Sequence, residues 1–346
     1  MSDGQEKFVA EVWYGHSRLR WALLPLAWIY QLVTAARRAL YSLNIFRSRN
    51  VGVPVIVVGN VTVGGTGKTP ITIWLSRALR ERGWRPGIVS RGYRGNTGPH
   101  PVAATRDSDP DIVGDEAILM ARKSGCPVAV HPDRVAAAMQ LVAEGVDVVL
   151  ADDGLQHYRL ARDFEIAVVD GIRGLGNGCL LPAGPLREPP GRLARVDVVL
   201  VQSEAATDAS SQWHGDRETL AFSLEPAEAI RVDGSGSRPL NEFSGSTVHA
   251  VAGIGHPERF FRMLEQRGIR VDPHALADHA PIRQATLDFA DGNPVLMTEK
   301  DAVKCRSLNT ENCWYVDVDI EFAGRGGDEL LDGIARRLGE APGAAA

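Results

Sequence analysis

The residues Asn60-Val-Thr-Val-Gly64-Gly65-Thr66-Gly67-Lys68-Thr69-Pro70 could do phosphate chemistry. Glycines at 64, 65 and 67 let backbone N–H groups close around phosphate oxygens, and a helix opening behind them adds the positive end of its dipole. Within that turn Thr66 completes the cradle, Lys68 is spaced to reach the β- and γ-phosphates of a nucleotide, and the Thr69 hydroxyl is spaced to ligate Mg²⁺. The general pattern GxxxxGK[ST] places a glycine six residues before the lysine, where this chain has Thr62. Such enzymes also need a carboxylate at the end of a second buried strand to hold the magnesium shell, and Val146-Asp-Val-Val-Leu-Ala-Asp152-Asp153 supplies a pair. Two adjacent acids could instead cap a following helix. A second glycine pattern, Gly253-Ile-Gly255, has Glu258 where a dinucleotide fingerprint wants its third glycine, and reads as a tight β-α turn.

Those groups work only if strands and helices deliver them to one edge. Pro54 to Gly59 is a short β-branched run suited to a buried parallel strand, and Ile71, Ile73, Trp74, Leu75, Ala78 and Leu79 suit the helix that follows the turn. Further strands are predicted at Pro86 to Ser90, Pro127 to Val130, Glu165 to Asp170 and Asp197 to Gln202, with helices at Asp115 to Lys123 and Asp133 to Glu144. The alternation predicts an α/β fold with a doubly wound, mainly parallel sheet of the P-loop kind. Both acids then emerge at the carboxyl edge beside the phosphate turn. Beyond residue 217, Val248 to Ile254, a helix through Leu264, Pro294 to Met297 and Trp314 to Ile320 predict a smaller α/β unit. We therefore divide the chain into 1–50, 51–216 and 217–346, with the polar stretch Ser203–Asp216 as linker and an Ala-rich end after Gly339. Gly174, Gly176 and Gly178 with Pro182, Pro185, Pro189 and Pro190 make a long irregular stretch, read as an active-site lid.

Charge narrows the partners. With 38 Lys+Arg against 43 Asp+Glu, net −5, the chain is not built to coat nucleic acid. The first fifty residues depart from that balance: no Asp or Glu lies between Val12 and Asn50, while Arg18, Arg20, Arg37, Arg38, Arg47 and Arg49 do. Eight of the 22 aromatics fall within the first 46 residues, an interfacial composition. The apolar run Trp21 to Val33 is interrupted by Pro25, and as a helix it reaches about 20 Å, short of the ~30 Å hydrocarbon core. It predicts an amphipathic helix lying on an anionic membrane surface; packing on its own domain or on a dimer partner is the alternative. Cys126, Cys179, Cys305 and Cys313 form no CxxC pair and read as reduced, cytosolic thiols.

Taken together, Val-Gly59-Asn60-Val-Thr-Val-Gly-Gly-Thr-Gly-Lys68-Thr69-Pro70, Ser90-Arg91-Gly92-Tyr93-Arg94-Gly95, Gly114-Asp115-Glu116, His131-Pro132-Asp133-Arg134, Asp152-Asp153-Gly154-Leu155-Gln156-His157, Pro182-Ala183-Gly184-Pro185-Leu186-Arg187-Glu188 and Thr298-Glu299-Lys300-Asp301-Ala302-Val303-Lys304 occur in order. Over nearly the whole chain, from about Trp13 to Lys304, this resembles the tetraacyldisaccharide 4′-kinases, the lipid A 4′-kinases of Gram-negative bacteria. Thr62 is no departure from that family, whose own loop reads like this one. The resemblance implies ATP-dependent phosphorylation of the 4′-hydroxyl of a tetraacylated glucosamine disaccharide 1-phosphate, giving lipid IVA. It also implies a peripheral enzyme at the cytoplasmic face of the inner membrane, with an N-terminal interfacial helix and a smaller C-terminal domain. No obligate protein partner is implied. A four-chain lipid leaves the bilayer only at about 0.8 kcal/mol per CH₂, so the enzyme must go to the surface.

A sugar hydroxyl is a poor nucleophile and needs a positioned base. Asp115, opening a predicted helix, is the candidate; a carboxylate favoured there by the helix dipole is the alternative. The resemblance pairs it with His279. Gln156 and His157 follow the paired acids and are expected to face nucleotide or metal, Arg134 and Arg187 to stabilise phosphate charge, and Glu188 to act as a supporting or metal carboxylate. The expected metal set is thus drawn from Thr69, Asp152, Asp153 and Glu188. One rival is a membrane-associated P-loop ATPase acting as a switch or positioning protein, but Val63 stands where its signature lysine would be.

Overall fold

The computed structural model describes residues 3–15, 17–93, 95–203 and 218–339. The expected boundary at 217, the polar linker after Ser203 and the Ala-rich end lie outside them. The chain forms two compact units, the larger from Lys7–Ser223 with the segment returning at Ile320, the smaller from Leu224–Asp319.

Two helices, α1 (Asp3–Tyr14) and α2 (Leu19–Ser42), precede the sheet. The β-branched runs then fold as read: β1 (Val55–Gly59), α3 (Lys68–Glu81) and β2 (Pro86–Ser90). The short β3 (Val102–Ala104) and α4 (Pro110–Val113), neither legible as a periodic run, lead to α5 (Asp115–Lys123), β4 (Val128–Val130), α6 (Arg134–Ala143), β5 (Val148–Asp152), β6 (Phe164–Asp170) and β7 (Val198–Gln202). β8 (Glu218–Arg231) leaves this unit for the next. Sheet order is β8-β7-β6-β1-β5-β2-β4-β3, parallel throughout except for β3 against β4. The five residues of β1 and of β5 are all buried, as strands covered on both faces require. Order β2-β5-β1 sets the ends of β1 and β5 side by side, with Val58 opposite Asp152.

The smaller unit holds β9 (Ser237–Pro239), β10 (Thr247–Ala252), α7 (Pro257–Glu265), β11 (Arg270–Ala275), β12 (Val295–Thr298), α8 (Glu299–Ala302) and most of β13 (Cys313–Phe322). Its parallel order is β11-β10-β12-β13, around a core that includes Phe243, Phe260, Leu264, Leu296 and Trp314. Gly253-Ile-Gly255 is the turn between β10 and α7. The chain then returns: α9 (Gly326–Leu338) buries Leu330, Leu331 and Ile334 within the larger unit, where Phe322 packs on Trp74 at 4.7 Å and Arg337 Nε donates to the Asp163 carbonyl at 3.1 Å. That apolar stripe is why the last residues do not continue the smaller unit.

The Gly/Pro-rich stretch expected to be a lid is instead fastened down. Ala183 and Leu186 are buried with Val61 and with Ala27 of α2, Val63 N donates to the Pro185 carbonyl at 2.8 Å, and Arg187 N donates to the Val61 carbonyl at 2.7 Å. Trp13 Nε1 reaches the Pro182 carbonyl at 3.0 Å, so α1 is held there as well.

Candidate phosphate-binding site

The turn after β1 needs backbone angles that side chains resist. Gly64 has φ +114 and Gly67, the residue capping α3, has φ +81, both in the region open chiefly to glycine. A Cβ at Gly64 or Gly65 would meet nothing within 4 Å, so the concave face of the turn is open. Asn60 braces it from beneath: its amide nitrogen donates to the Gly64 carbonyl at 3.3 Å, to Thr66 Oγ1 at 3.2 Å and to Thr62 Oγ1 at 3.5 Å. Thr62 thus has its own task. Its side chain joins this brace while its backbone bridges to Leu186, neither of which a glycine would specify so firmly.

Lys68 is the first residue of α3, and its Nζ donates to the Gly64 carbonyl at 3.3 Å and stands 3.8 Å from Asp153 Oδ1. Thr69 follows it, half-buried. The acids differ sharply. Asp152, ending β5, is 2% exposed and accepts from Thr72 Oγ1 at 3.1 Å. Burial, with the negative charges of Glu116 and Asp153, pushes its carboxyl up to about 7 against the pull of Lys68 and Arg134. Asp153 has φ +47 and turns out of the strand. Burial would raise its carboxyl too, but Lys68 and Arg187 overcome that and hold it far below the usual carboxylate range. Arg187 Nη1 is 3.0 and 2.9 Å from its two oxygens and 3.4 Å from Gln156 Oε1.

Gln156 continues the network, donating to the Asn60 carbonyl at 3.0 Å and to Glu188 Oε1 at 2.8 Å. Glu188 is 2% exposed and is also held by the Tyr158 hydroxyl, by Arg192 Nε at 3.5 Å and by Arg38 of α2 at 3.6 Å. Its oxygens face donors, as both oxygens of Asp153 do, and one of them braces Gln156. Arg134 opens α6, 5% exposed, and burial lowers its affinity for its proton while Asp153 and Asp152 raise it. Among the described residues nothing hydrogen-bonds to Arg134 Nε, His157 Nε2 or Asn60 Oδ1, although all three are buried. Burial first, then Arg134 and Arg162, lowers His157 to about 4, so its ring is neutral. Asp115 opens α5, 6% exposed, with Oδ1 accepting from Glu116 N at 2.9 Å.

The structure thus brings Gly64 to Thr69, Asp152, Asp153, Gln156, Arg187 and Arg134 into one region of the larger unit, with Glu116 adding its charge at Asp152. His279 belongs to the smaller unit, with φ +59; its Nε2 is 2.9 Å from Lys300 Nζ, which also bonds Asp278 at 3.2 Å. Sequence reasoning gave no role to Asn60, Thr72, Glu116 or Lys300. Thr72 lies one turn after Lys68 on the same helix face, the one signal that could have found it.

The orphaned Arg134 Nε donor, an open glycine turn and a lysine at a helix start fit a nucleotide's polyphosphate. An all-oxygen set of Thr69, Asp152 and Asp153, in which burial and the neighbouring acids outweigh the cations acting on Asp152, fits a hard divalent cation. These are the parts of a P-loop nucleotide-binding protein of the α/β class. Residues 19–336 match the family model described as tetraacyldisaccharide-1-P 4′-kinase. The chain is 46% identical over 332 residues to the tetraacyldisaccharide 4′-kinase of Nitrosococcus oceani, covering 96% of this chain and 95% of that one. It is 53% identical over 298 residues to that of Alkalilimnicola ehrlichii, covering 86% and 87%. The crystal structure of LpxK from Aquifex aeolicus in complex with ATP is similar over 92% of this chain and 99% of that one, with a TM-score of 0.77 and 26% identity. The chain belongs to the tetraacyldisaccharide 4′-kinase family.

Proposed function

We propose that the chain transfers the γ-phosphoryl group of ATP to the 4′-hydroxyl of a tetraacylated glucosamine disaccharide 1-phosphate, forming lipid IVA. The observation that carries this reading is the open glycine turn with Lys68 3.8 Å from Asp153 and buried Asp152 behind it, in a chain of this family. What separates this reading from a positioning ATPase of the P-loop kind is the family match over residues 19–336.

Within this reading the turn's N–H groups and Lys68 bind the polyphosphate. The orphaned Arg134 Nε is a buried donor suited to the oxygens of the transferring group. Thr69, Asp152 and Asp153 would hold Mg²⁺, which when bound neutralises charge on the β- and γ-phosphates. Thr72 fixes one oxygen of Asp152, Gln156 ties Arg187 to the Asn60 strand end, and Glu188 holds Gln156. Asp115 accepts the proton of the sugar hydroxyl as its oxygen bonds to phosphorus and ADP leaves. His279, positioned by Lys300, is kept as a second candidate catalytic group on the strength of the family resemblance.

Membrane association goes with this reading. No helix among the described residues is long and apolar enough to cross a membrane. On α2, Ala27 is buried and Tyr30 donates to the Arg187 carbonyl at 3.1 Å, while Trp21, Trp28, Ile29, Leu32 and Val33 are 60–70% exposed. An outward apolar stripe between arginines suits a helix seated in the head-group layer, at the cytoplasmic face of the inner membrane.

The test is incubation of the purified chain with γ-labelled ATP, Mg²⁺ and the lipid disaccharide in mixed micelles. Label should appear on the lipid and not on a deacylated disaccharide. ATP hydrolysis with no labelled lipid would overturn the assignment.

A further inference from the structure

We propose that His249, His274 and Asp272 form a site for one divalent transition-metal ion of the zinc class in the smaller unit, using none of the groups given a role above. The site arises from strand geometry. β10 and β11 run parallel with His249 opposite Asp272 and Val251 opposite His274. Asp272 and His274 are two residues apart on β11, so both side chains stand on one face, the face that carries His249. One nitrogen from each histidine and one oxygen from the carboxylate lie within 4.8 Å of one another. His249 Nδ1 is 3.0 Å from His274 Nε2 and 3.1 Å from Asp272 Oδ2, and His274 Nε2 is 3.6 Å from the same oxygen.

The other side of the His249 ring shows which atoms point inward as lone pairs. Its Nε2 faces both oxygens of Asp291 at 3.0 and 3.1 Å, and Asp291 is in turn held by Asn293 N at 3.1 Å and Asn293 Nδ2 at 2.6 Å. With the proton of a neutral imidazole drawn to Nε2, Nδ1 is a lone pair aimed at a second nitrogen and a carboxylate oxygen. With the His274 proton on Nδ1, three electron-rich atoms converge, and a cation between them is ligated by all three. A carboxylate behind a ligating histidine is the arrangement that fixes tautomer and ring orientation at such metals. Phe289 completes the setting, stacked on the His249 ring at 3.6 Å and 11° and tilted on His274 at 4.6 Å. His249 is buried and Asp272 exposed, so an ion has both a fixed floor and an entry. Two imidazoles and one carboxylate suit Zn²⁺ or its neighbours and leave a fourth position for water. β11 is the edge strand of its unit, and the ion would clip it to β10.

The experiment uses the full chain without a polyhistidine tag, stripped by chelator and titrated with Zn²⁺ and with Co²⁺, in the presence of millimolar Mg²⁺ to fill oxygen-ligand sites. We expect one equivalent of Zn²⁺ bound, a raised melting temperature, and a visible Co²⁺ spectrum of low-coordinate, nitrogen-ligated type. His274→Gln and Asp272→Asn should each weaken Zn²⁺ at least tenfold. Asp291→Asn, a positioning change, should weaken it about 10- to 100-fold. The rival is a protonated His249 bridging Asp291 and Asp272. Absence of stoichiometric binding, or binding unchanged in Asp272→Asn, overturns the proposal. Because Asp272 is exposed, that variant decides the matter even if His274→Gln does not fold. The readout is metal uptake, so its failure leaves the phosphoryl-transfer reading untouched, and the reverse holds as well.

Discussion

At the scale of single residues the two neighbouring acids show how position divides labour. Asp153, gripped by Lys68 and Arg187, is ionised at any working pH; Asp152, with no cation in direct contact among the hydrogen bonds and ion pairs described, carries a proton until about pH 7. Lys68→Ala removes the proposed phosphate contact and one of the two cations beside Asp153, and phosphoryl transfer should fall by about 10²–10³-fold or more with the circular-dichroism spectrum retained. The Asp152 shift carries a sign. Between its ordinary value of 3.8 and about 7 the folded, metal-free protein holds a proton there that the unfolded chain has lost, so stability falls as pH rises through that window. His157, lowered to about 4, acts oppositely: the unfolded chain takes a proton below 6.5 that the fold excludes, so its contribution is lost as pH falls from 6.5 to 4. Melting temperatures of Asp152→Asn minus the parent should therefore grow from pH 4 to pH 8 in EDTA. A difference that stays flat would deny the shift.

At the scale of elements, the turn works because its backbone is held from both sides. Asn60 ties Gly64 to the end of β1, and Gly67 presses against Gln202 and Phe222, where an added Cβ would sit 3.2 Å from each. Gly67→Ala should therefore cost about 1–2 kcal/mol in backbone strain alone and weaken nucleotide binding by tenfold or more in calorimetry. In the smaller unit the helical turn after β12 is organised by Asp301, fully buried, which accepts from Gly253 N at 2.8 Å, Thr298 Oγ1 at 2.6 Å and Lys304 Nζ at 2.8 Å. Asp301→Ala leaves those donors facing an apolar methyl, and chemical denaturation should register a loss of about 3–5 kcal/mol. The same helical turn supplies Lys300 to His279, so the Thr298–Lys304 motif is a scaffold for the histidine as well as a family signature.

For the whole molecule, α2 joins an exposed apolar surface to the site. Arg38 and Tyr30 on its inner side touch Glu188 and the Arg187 carbonyl, while the opposite side leaves Trp28, Leu32 and Val33 in solvent. Each large apolar side chain withdrawn from a bilayer costs about 1.5–3 kcal/mol. The triple change Trp28→Ser, Leu32→Ser and Val33→Ser should reduce sedimentation with anionic liposomes by at least 10²-fold in partition coefficient, with ATP affinity and melting temperature close to the parent's. Unchanged sedimentation would remove α2 from the membrane contact.

The local sequence determined the phosphate turn, the acid-ended strand and nearly every buried strand and helix of the P-loop unit, because those signals are short-range. β-branched runs, glycines with positive φ and helix-opening acids act on their own neighbours. What only the tertiary structure decided lies in contacts between distant residues. The Gly/Pro stretch looked free in sequence, yet its carbonyls and amides pair with Val61 and Val63 in the turn after β1, more than a hundred residues earlier, and make it a bed for α2. The roles of Thr72, Glu116 and Asn60, the burdened state of Glu188 and the return of α9 share that origin. So does the meeting of His249, Asp272 and His274, which strand register produces and no spacing along the chain announces.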